Sequence, residues 1–223
     1  MAAESTYQEY VTALVQGDRR LCQEIVREHL RQGTSVKSLY IDFIQASLYE
    51  VGARWERNEI SVATEHLSSS ITEILLNQIF AALVPAASVG RSVVVAGLSP
   101  ELHQIGSRIV ADMFELKGWD SHFVGRNIKK QQLLDVLAER KPDFVALSMT
   151  IDFNTGSLEN VINAVRRAHP ALEIIIGGQA LRGVGASFAS NHARLTYMSS
   201  LDELDGLLGA RTVERRTLGL EEP

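Results

Sequence analysis

The chain has 223 residues, of which 45% are hydrophobic and 22% are charged, which suffices for one large domain or two small ones with a buried core. Its net charge of -5 lacks the basic excess that is typical of proteins whose main role is to bind nucleic acid. The single cysteine, Cys22, excludes an internal disulfide and a multi-cysteine metal site. No stretch of the sequence resembles a secretion signal or a membrane span, and we expect a cytoplasmic protein.

Apolar residues recur at helical spacing through the first 84 residues, with hardly any strand signal. Gly17 and Asp18 mark a helix end and the next N-cap, and "RQGTS" and "NEIS" mark the two boundaries that follow. Four helices with short connections predict a four-helix bundle as domain 1–84, and "VPAASVG" after it is interpreted as a linker. The predicted helices cover residues 5–15, 19–32, 36–55 and 61–83.

After the linker, short β-branched runs alternate with helical segments. Strands that are apolar on both faces predict a parallel sheet covered by helices on both sides. The predicted fold class is therefore α/β, with a doubly wound, Rossmann-like or flavodoxin-like sheet. This second domain covers residues 91–210 and is followed by a tail over 211–223. The predicted strands are 92–98, 121–124, 143–149, 173–178 and 194–198. The predicted helices are 104–118, 129–140, 157–168, 183–190 and 201–209.

Polar and glycine residues follow three of the predicted strands, at the edge where doubly wound sheets bind ligands. The first strand is followed by "ELHQIG", in which Glu101 can accept a hydrogen bond from one ring nitrogen of His103 and leave the other nitrogen free to bind a metal. The same turn lacks both the G-x-G-x-x-G dinucleotide fingerprint and a phosphate-binding P-loop. A loop histidine alone is more often a surface residue.

The elements "ELHQIG", "SMT" and "GGQ" together resemble the pattern of cobalamin-binding domains, in which D-x-H-x-x-G, S-x-T or S-x-L, and G-G follow the first, third and fourth strands. The resemblance covers about residues 91–209 and implies that His103 is the lower cobalt ligand, with Glu101 as its hydrogen-bond partner. Glu101 departs from the usual aspartate, a change that resembles the regulatory branch of the family. The resemblance also implies the residues around the cofactor's nucleotide tail: Gly106 at a close approach, Ser148 and Thr150 in contact with the tail, and Gly177 and Gly178 leaving it room.

The stretch "RWERNEISVATEHLSS" has Trp55, nine further residues, and then Glu65 and His66. It resembles the W-x9-E-H signature in the helical cap of light-sensing, adenosylcobalamin-dependent regulators. That resemblance implies that all three residues cover the upper face of the cobalt, and that His66 becomes a second metal ligand once the adenosyl group leaves. The alternative from the residues alone is that Trp55 anchors the bundle core and that Glu65 and His66 are an ordinary solvated pair.

Three functions remain open from the sequence. The first is a cobalamin-binding photoreceptor in signal transduction or transcription regulation, rather than an enzyme, which acts through a regulatory protein partner or a change of homo-oligomer. Its cofactor is adenosylcobalamin, with methylcobalamin as the other option. We expect no direct nucleic-acid binding, because the sequence shows no DNA-binding segment. We also expect no membrane binding, because no stretch resembles a membrane span. The second function is a corrinoid methyl carrier of a methyltransferase system, and the third is a scaffold that binds no cobalamin.

Overall fold

The computed structural model describes residues 2–98, 103–150 and 155–217, and the side chains of residues 5–98, 103–150 and 156–210. The chain divides into two compact units, Met1–Val84 and Pro85–Pro223. Across the described residues, every helix is too short or too polar to cross a lipid bilayer.

The first unit is helical, as predicted. Asp18, Ser35 and Ser61 begin its later helices as N-caps, because each side-chain oxygen accepts a hydrogen bond from a backbone N–H three residues on, at 3.0, 3.0 and 3.1 Å. The predicted helix 36–55 differs, since its middle is a π-helix. The helical segments are α1 Ala2–Gln16, α2 Arg19–Arg31, α3 Val36–Ser38, a π-helix Leu39–Gln45, α4 Ala46–Glu56 and α5 Val62–Phe80.

The π-helix turns four apolar side chains into the core of the helical unit, namely Leu39, Tyr40, Phe43 and Ile44. Phe43 packs edge-on against Tyr7, with ring centroids 5.7 Å apart, and against His29 at 4.4 Å. The wider π turn places these residues inward without a break between Val36 and Glu56.

The second unit is the predicted doubly wound fold. Its five parallel strands lie in the order β2-β1-β3-β4-β5, which is the flavodoxin-like order. The strands are β1 Ser92–Leu98, β2 Asp120–Ile128, β3 Phe144–Ser148, β4 Glu173–Gly177 and β5 Leu195–Met198. The helices are α6 Ile105–Leu116, α7 Lys130–Arg140, α8 Thr155–Ala168, a 3-10 turn Gln179–Leu181, α9 Gly185–Ser190 and α10 Leu201–Thr217.

Two predicted boundaries in this unit are wrong by several residues. Strand β2 runs to Ile128 instead of 124, because this edge strand continues through a bulged region in which Ala96 pairs with Gly125 and Leu98 with Ile128. Helix α10 continues to Thr217, so the predicted tail 211–223 begins inside a helix. The apolar pattern ends near Leu208, but the helix does not.

Buried β-branched and aliphatic side chains explain the sheet. From Val93 to Leu98 every residue of β1 is buried, as are Phe144–Leu147 in β3 and Ile174–Ile176 in β4. Strands buried on both faces need helices on both sides, and the right-handed crossovers of a parallel sheet supply them. The core therefore fixes the register with which the strands reach their carboxyl ends.

Candidate functional site

The carboxyl ends of three neighbouring strands bring small residues into one row. Gly97 of β1 pairs with Ser148 of β3, and Ser148 pairs in turn with Gly177 of β4. The strand order reverses between β1 and β3, because the chain leaves β1 toward β2 on one side and continues from β3 on the other. Ligands of doubly wound sheets bind at such a reversal.

Gly106 faces this row from the first turn of helix α6. A Cβ atom added to Gly106 would lie 3.9 Å from Ser148 Oγ, and no other atom of the described residues would be within 4 Å of it. Gly106 is exposed and Ser148 is half-buried. The structure thus brings together two predicted site residues, one in the first turn of α6 and one at the end of β3, and no other described atom crowds Gly106.

His103 is exposed and lies just before α6, where the loop from β1 enters the helix. Glu101 lies outside the described residues, so its hydrogen bond to His103 stays a prediction. Thr150 is half-buried, two residues after the end of β3. Histidine, serine and threonine therefore approach the same edge of the sheet from the two loops that flank the reversal of strand order.

Gly178, directly after β4, has a structural role that the sequence analysis missed. Gly178 has a φ of +111°, and a Cβ there would lie 2.0 Å from the carbonyl oxygen of Met149. The same segment is tied to Met149 on both sides, since Met149 N donates to Gly177 O at 3.0 Å and Ala180 N donates to Met149 O at 3.2 Å. Glycine at 178 is thus required by the protein's own backbone, whatever ligand lies nearby.

In the helical unit, Glu65 and His66 contact each other directly. His66 Nδ1 lies 2.7 Å from Glu65 Oε2, and the other carboxylate oxygen accepts a hydrogen bond from Ser69 Oγ at 2.8 Å. The Glu65 side chain is 18% exposed and that of His66 is 72% exposed. A carboxylate at Nδ1 favours the tautomer that is protonated at Nδ1, and the lone pair of Nε2 is then free. Metal-binding histidines are often oriented by a carboxylate in this way. Ser69 could have been found from its i, i+4 spacing to Glu65.

Trp55 lies in the last turn of α4 and is 41% exposed, so it is not the core anchor that the alternative interpretation assumed. Hydrogen bonds define the turn from α4 to α5. Asn58, which has a φ of +58°, ends α4, and its N–H donates a hydrogen bond to Trp55 O at 2.9 Å. Ser61 then caps the N-terminus of α5. Trp55 and the pair Glu65 and His66 therefore lie at the same end of the helical unit.

Cys22 has no part in this site. Its side chain is buried in the helical unit, and burial raises the pKa of the thiol to about 11. In the described part of the chain, no cluster of three or more His, Cys, Asp or Glu residues could hold a metal ion.

Comparisons with known proteins show which families the two parts of the chain are similar to. The sequence matches one B12 binding domain family over residues 91–191 and a second B12 binding domain family over residues 6–79. It is 28% identical to the HTH-type transcriptional repressor CarH of Myxococcus xanthus over 181 residues, which cover 79% of this chain and 59% of the repressor. It is 23% identical to trimethylamine corrinoid protein 2 of Methanosarcina acetivorans over 180 residues, which cover 78% of this chain and 79% of that protein.

Among solved structures, the monomethylamine corrinoid protein of Methanosarcina barkeri has the same fold. It superposes with a TM-score of 0.75 over 92% of this chain and 97% of its own, at 14% sequence identity.

Proposed function

Because the chain belongs to the family of cobalamin-binding domain proteins, we propose that it is a light-responsive regulator that uses adenosylcobalamin and signals through a partner protein or a change of homo-oligomer. The observation that carries this proposal is the Glu65–His66 pair, in which a largely buried carboxylate orients an exposed imidazole at the same end of the helical unit as the exposed Trp55. The hydrogen bond from Ser69 holds the carboxylate in this position.

The residues of the sheet edge fit the lower side of a corrinoid. Gly106 and Ser148 lie next to each other at this edge, and His103 is exposed just before the same helix. We propose that His103 is the lower cobalt ligand and that Glu101 holds its ring through a hydrogen bond. Ser148 and Thr150 would donate hydrogen bonds to the nucleotide tail, while the missing side chain of Gly106, and that of Gly177, would let the tail approach the backbone.

The residues of the helical unit fit the upper side. Trp55 offers an exposed aromatic surface on which an adenosyl group could pack, and Glu65 holds His66 with Nε2 outward. When bound, adenosylcobalamin supplies a cobalt–carbon bond that visible light cleaves. In this proposal Trp55 would hold the upper group, and His66 Nε2 would be the nitrogen available to the cobalt once that group is absent. The helical unit would then redistribute among its positions, because the contacts of Trp55 depend on the bound group.

Illumination of the adenosylcobalamin complex tests the proposal. Wild type and His66→Ala should bind the cofactor equally in the dark, because His66 is not a ligand in that state. After illumination, only wild type should reach the absorption spectrum of a cobalt with two histidine ligands, and its size by light scattering should change. His122→Ala is the matched control, since it removes a half-buried imidazole from edge strand β2. Identical illuminated spectra for wild type and His66→Ala, with no change in size, would contradict the proposal.

A corrinoid methyl carrier is the second candidate. It is supported by the match to trimethylamine corrinoid protein 2, which spans 79% of that protein, whereas the match to the repressor spans 59%. A carrier must release its upper group to an enzyme and should bind methylcobalamin at least as tightly as adenosylcobalamin. A regulator with an adenosyl site beside Trp55 should prefer adenosylcobalamin, so competition between the two cofactors separates the candidates.

A further inference from the structure

A groove of about 560 Å³ lies at the amino edge of the sheet, opposite the edge that carries Gly106 and Ser148. Its lining comes from the residues that lead into β1, β3, β4 and β5, and from the loops after α7 and α8. Those residues are Arg91, Lys141, Pro142, Asp143, Phe144, Ala168, His169, Pro170, Ala171, Leu172, Glu173 and Arg194.

The groove is elongated. Arg91 precedes β1 and Arg194 precedes β5, and three strand spacings separate these strands, so the groove spans about 14 Å. Lys141 and His169 lie between them on two loops with the same local sequence pattern. In each loop the residue directly after a helix, Lys141 after α7 and His169 after α8, is basic and is followed by a proline. About four residues of an extended peptide have this length.

The walls of the groove are fixed before any ligand arrives. The Arg166 guanidinium donates hydrogen bonds to the carbonyl oxygens of Pro170 at 3.0 Å, Leu172 at 2.7 Å and Ala193 at 2.9 Å. Burial lowers the pKa of Arg166, yet its guanidinium still joins the loop before β4 to the loop before β5. A rigid site loses little entropy when a ligand binds.

Two basic residues in the groove have a backbone conformation that suits glycine. Lys141 has a φ of +48° and Arg194 a φ of +56°, and the other non-glycine residues with positive φ in the described chain are both asparagines, which tolerate this region. The side chain of Arg194 has a partner within the protein, since its guanidinium donates a hydrogen bond to Glu173 Oε1 at 2.8 Å. Lys141 is exposed, and no hydrogen bond or ion pair joins its side chain to any residue that the structure describes. The left-handed conformation of Lys141 ends α7, with its backbone N–H donating to Leu137 O at 3.0 Å, and its exposed side chain is available to a ligand.

The charges of the groove leave a positive surplus. Glu173 is paired with Arg194, and Asp143 accepts a hydrogen bond from the backbone N–H of Ser92 at 2.9 Å. Arg91 lies over the ring of Trp119, 5.7 Å from its centroid, which leaves its guanidinium charged. The Asp143 carboxylate offsets one of the two remaining cations, so Arg91 and Lys141 leave the groove with a surplus of one positive charge, on a protein whose net charge is -5.

We propose that this groove docks a short acidic segment of a partner protein, with carboxylates of the segment on Lys141 and Arg91. This inference rests on the proposed function, because it names the surface through which a regulator could reach its partner. Local positive charge on an acidic protein favours the encounter of an acidic partner with this edge. Binding of a nucleic acid at the same groove is one of the outcomes that the experiment distinguishes.

Fluorescein-labelled hexaglutamate, followed by fluorescence anisotropy at low salt, is the probe. Lys141→Gly should bind it about tenfold more weakly than wild type, because one charge-assisted hydrogen bond is lost. The same variant should melt at or above the wild-type temperature, since glycine relieves the positive φ. Lys130→Gln is the control: it removes one exposed positive charge at the other end of α7 and should leave binding unchanged.

Three results would overturn the inference: equal hexaglutamate binding by wild type and Lys141→Gly, no detectable binding by wild type, or tighter binding of an oligothymidine than of hexaglutamate. The absorption spectrum of added cobalamin is recorded on the same samples. Normal cobalamin binding without peptide binding would refute the groove and leave the proposed function intact, whereas the reverse result would refute the proposed function and leave the groove intact.

Discussion

Filling the space above Gly106 should stabilise the protein and at the same time block its cofactor. A leucine side chain at this position starts from a Cβ that, among the described residues, meets only Ser148 Oγ, at an ordinary contact distance of 3.9 Å. Leucine forms helices better than glycine by about 0.5–1 kcal/mol, so the melting temperature of Gly106→Leu should rise by about 1–4 °C. The added carbons occupy the space proposed for the nucleotide tail, and overpacking of about 1–3 kcal/mol weakens cobalamin binding by about fivefold to a hundredfold.

The assay combines thermal unfolding of the cofactor-free protein with titration of cobalamin followed by absorption. Gly106→Ala should give the same stabilisation with a smaller loss of affinity, because one methyl group fills less of the space. Gly206→Leu is the control, since Gly206 is an exposed glycine of helix α10 with nothing within 4 Å of an added Cβ. Unchanged cobalamin affinity in a stably folded Gly106→Leu protein would refute the assignment of this space to the cofactor.

Three further predictions concern individual residues. Gly178→Ala should destabilise the protein by more than about 2 kcal/mol, because its Cβ would clash with Met149 O. Gly183→Ala is the control: Gly183 also has a positive φ, of +80°, but an added Cβ meets no described atom within 4 Å, so the cost should be about 1 kcal/mol. Equal costs for the two variants would refute the clash. Cys22 should react with a thiol reagent at neutral pH only after unfolding, since a pKa of about 11 leaves almost no thiolate, and rapid labelling of the native protein would contradict this. Trp55→Ala should cost about 2 kcal/mol of stability, less than the loss of a fully buried tryptophan, because Trp55 is 41% exposed. It should also abolish any preference for adenosylcobalamin over cobalamin without an upper organic group, and a preserved preference would refute its place beside the adenosyl group.

The fold followed from sequence where burial determines structure. Apolar runs such as Val93–Leu98 can be stable only as central strands, and the N-caps Asp18 and Ser61 mark helix starts by a local hydrogen bond. The prediction failed at the exposed second half of β2, which has no apolar alternation, and at the end of α10, which continues nine residues beyond the buried Leu208. The π-helix has no recognised sequence signal, because it depends on how Phe43 and its neighbours pack.

The candidate site was predictable in its residue types and less so in its contacts. The sequence placed Gly106 and Ser148 at the same edge through strand order, but their closeness depends on the register of β1 against β3. Gly178 looked like a glycine for a ligand, whereas its nearest neighbour is the backbone of Met149. Glu65 and His66 looked too close in sequence to share a face, yet their side chains meet because both are long enough to bend toward each other.

Electron paramagnetic resonance of the protein loaded with cob(II)alamin tests the central claim most directly, because the unpaired electron couples to the nucleus of the lower nitrogen ligand. In protein labelled with ¹⁵N-histidine, ligation by His103 predicts that each cobalt line splits into a doublet in place of the ¹⁴N triplet. The same labelled protein with His103→Ala should lose the doublet. A triplet that persists in the labelled wild-type protein would mean that the cofactor keeps its own base, and it would contradict His103 as the cobalt ligand.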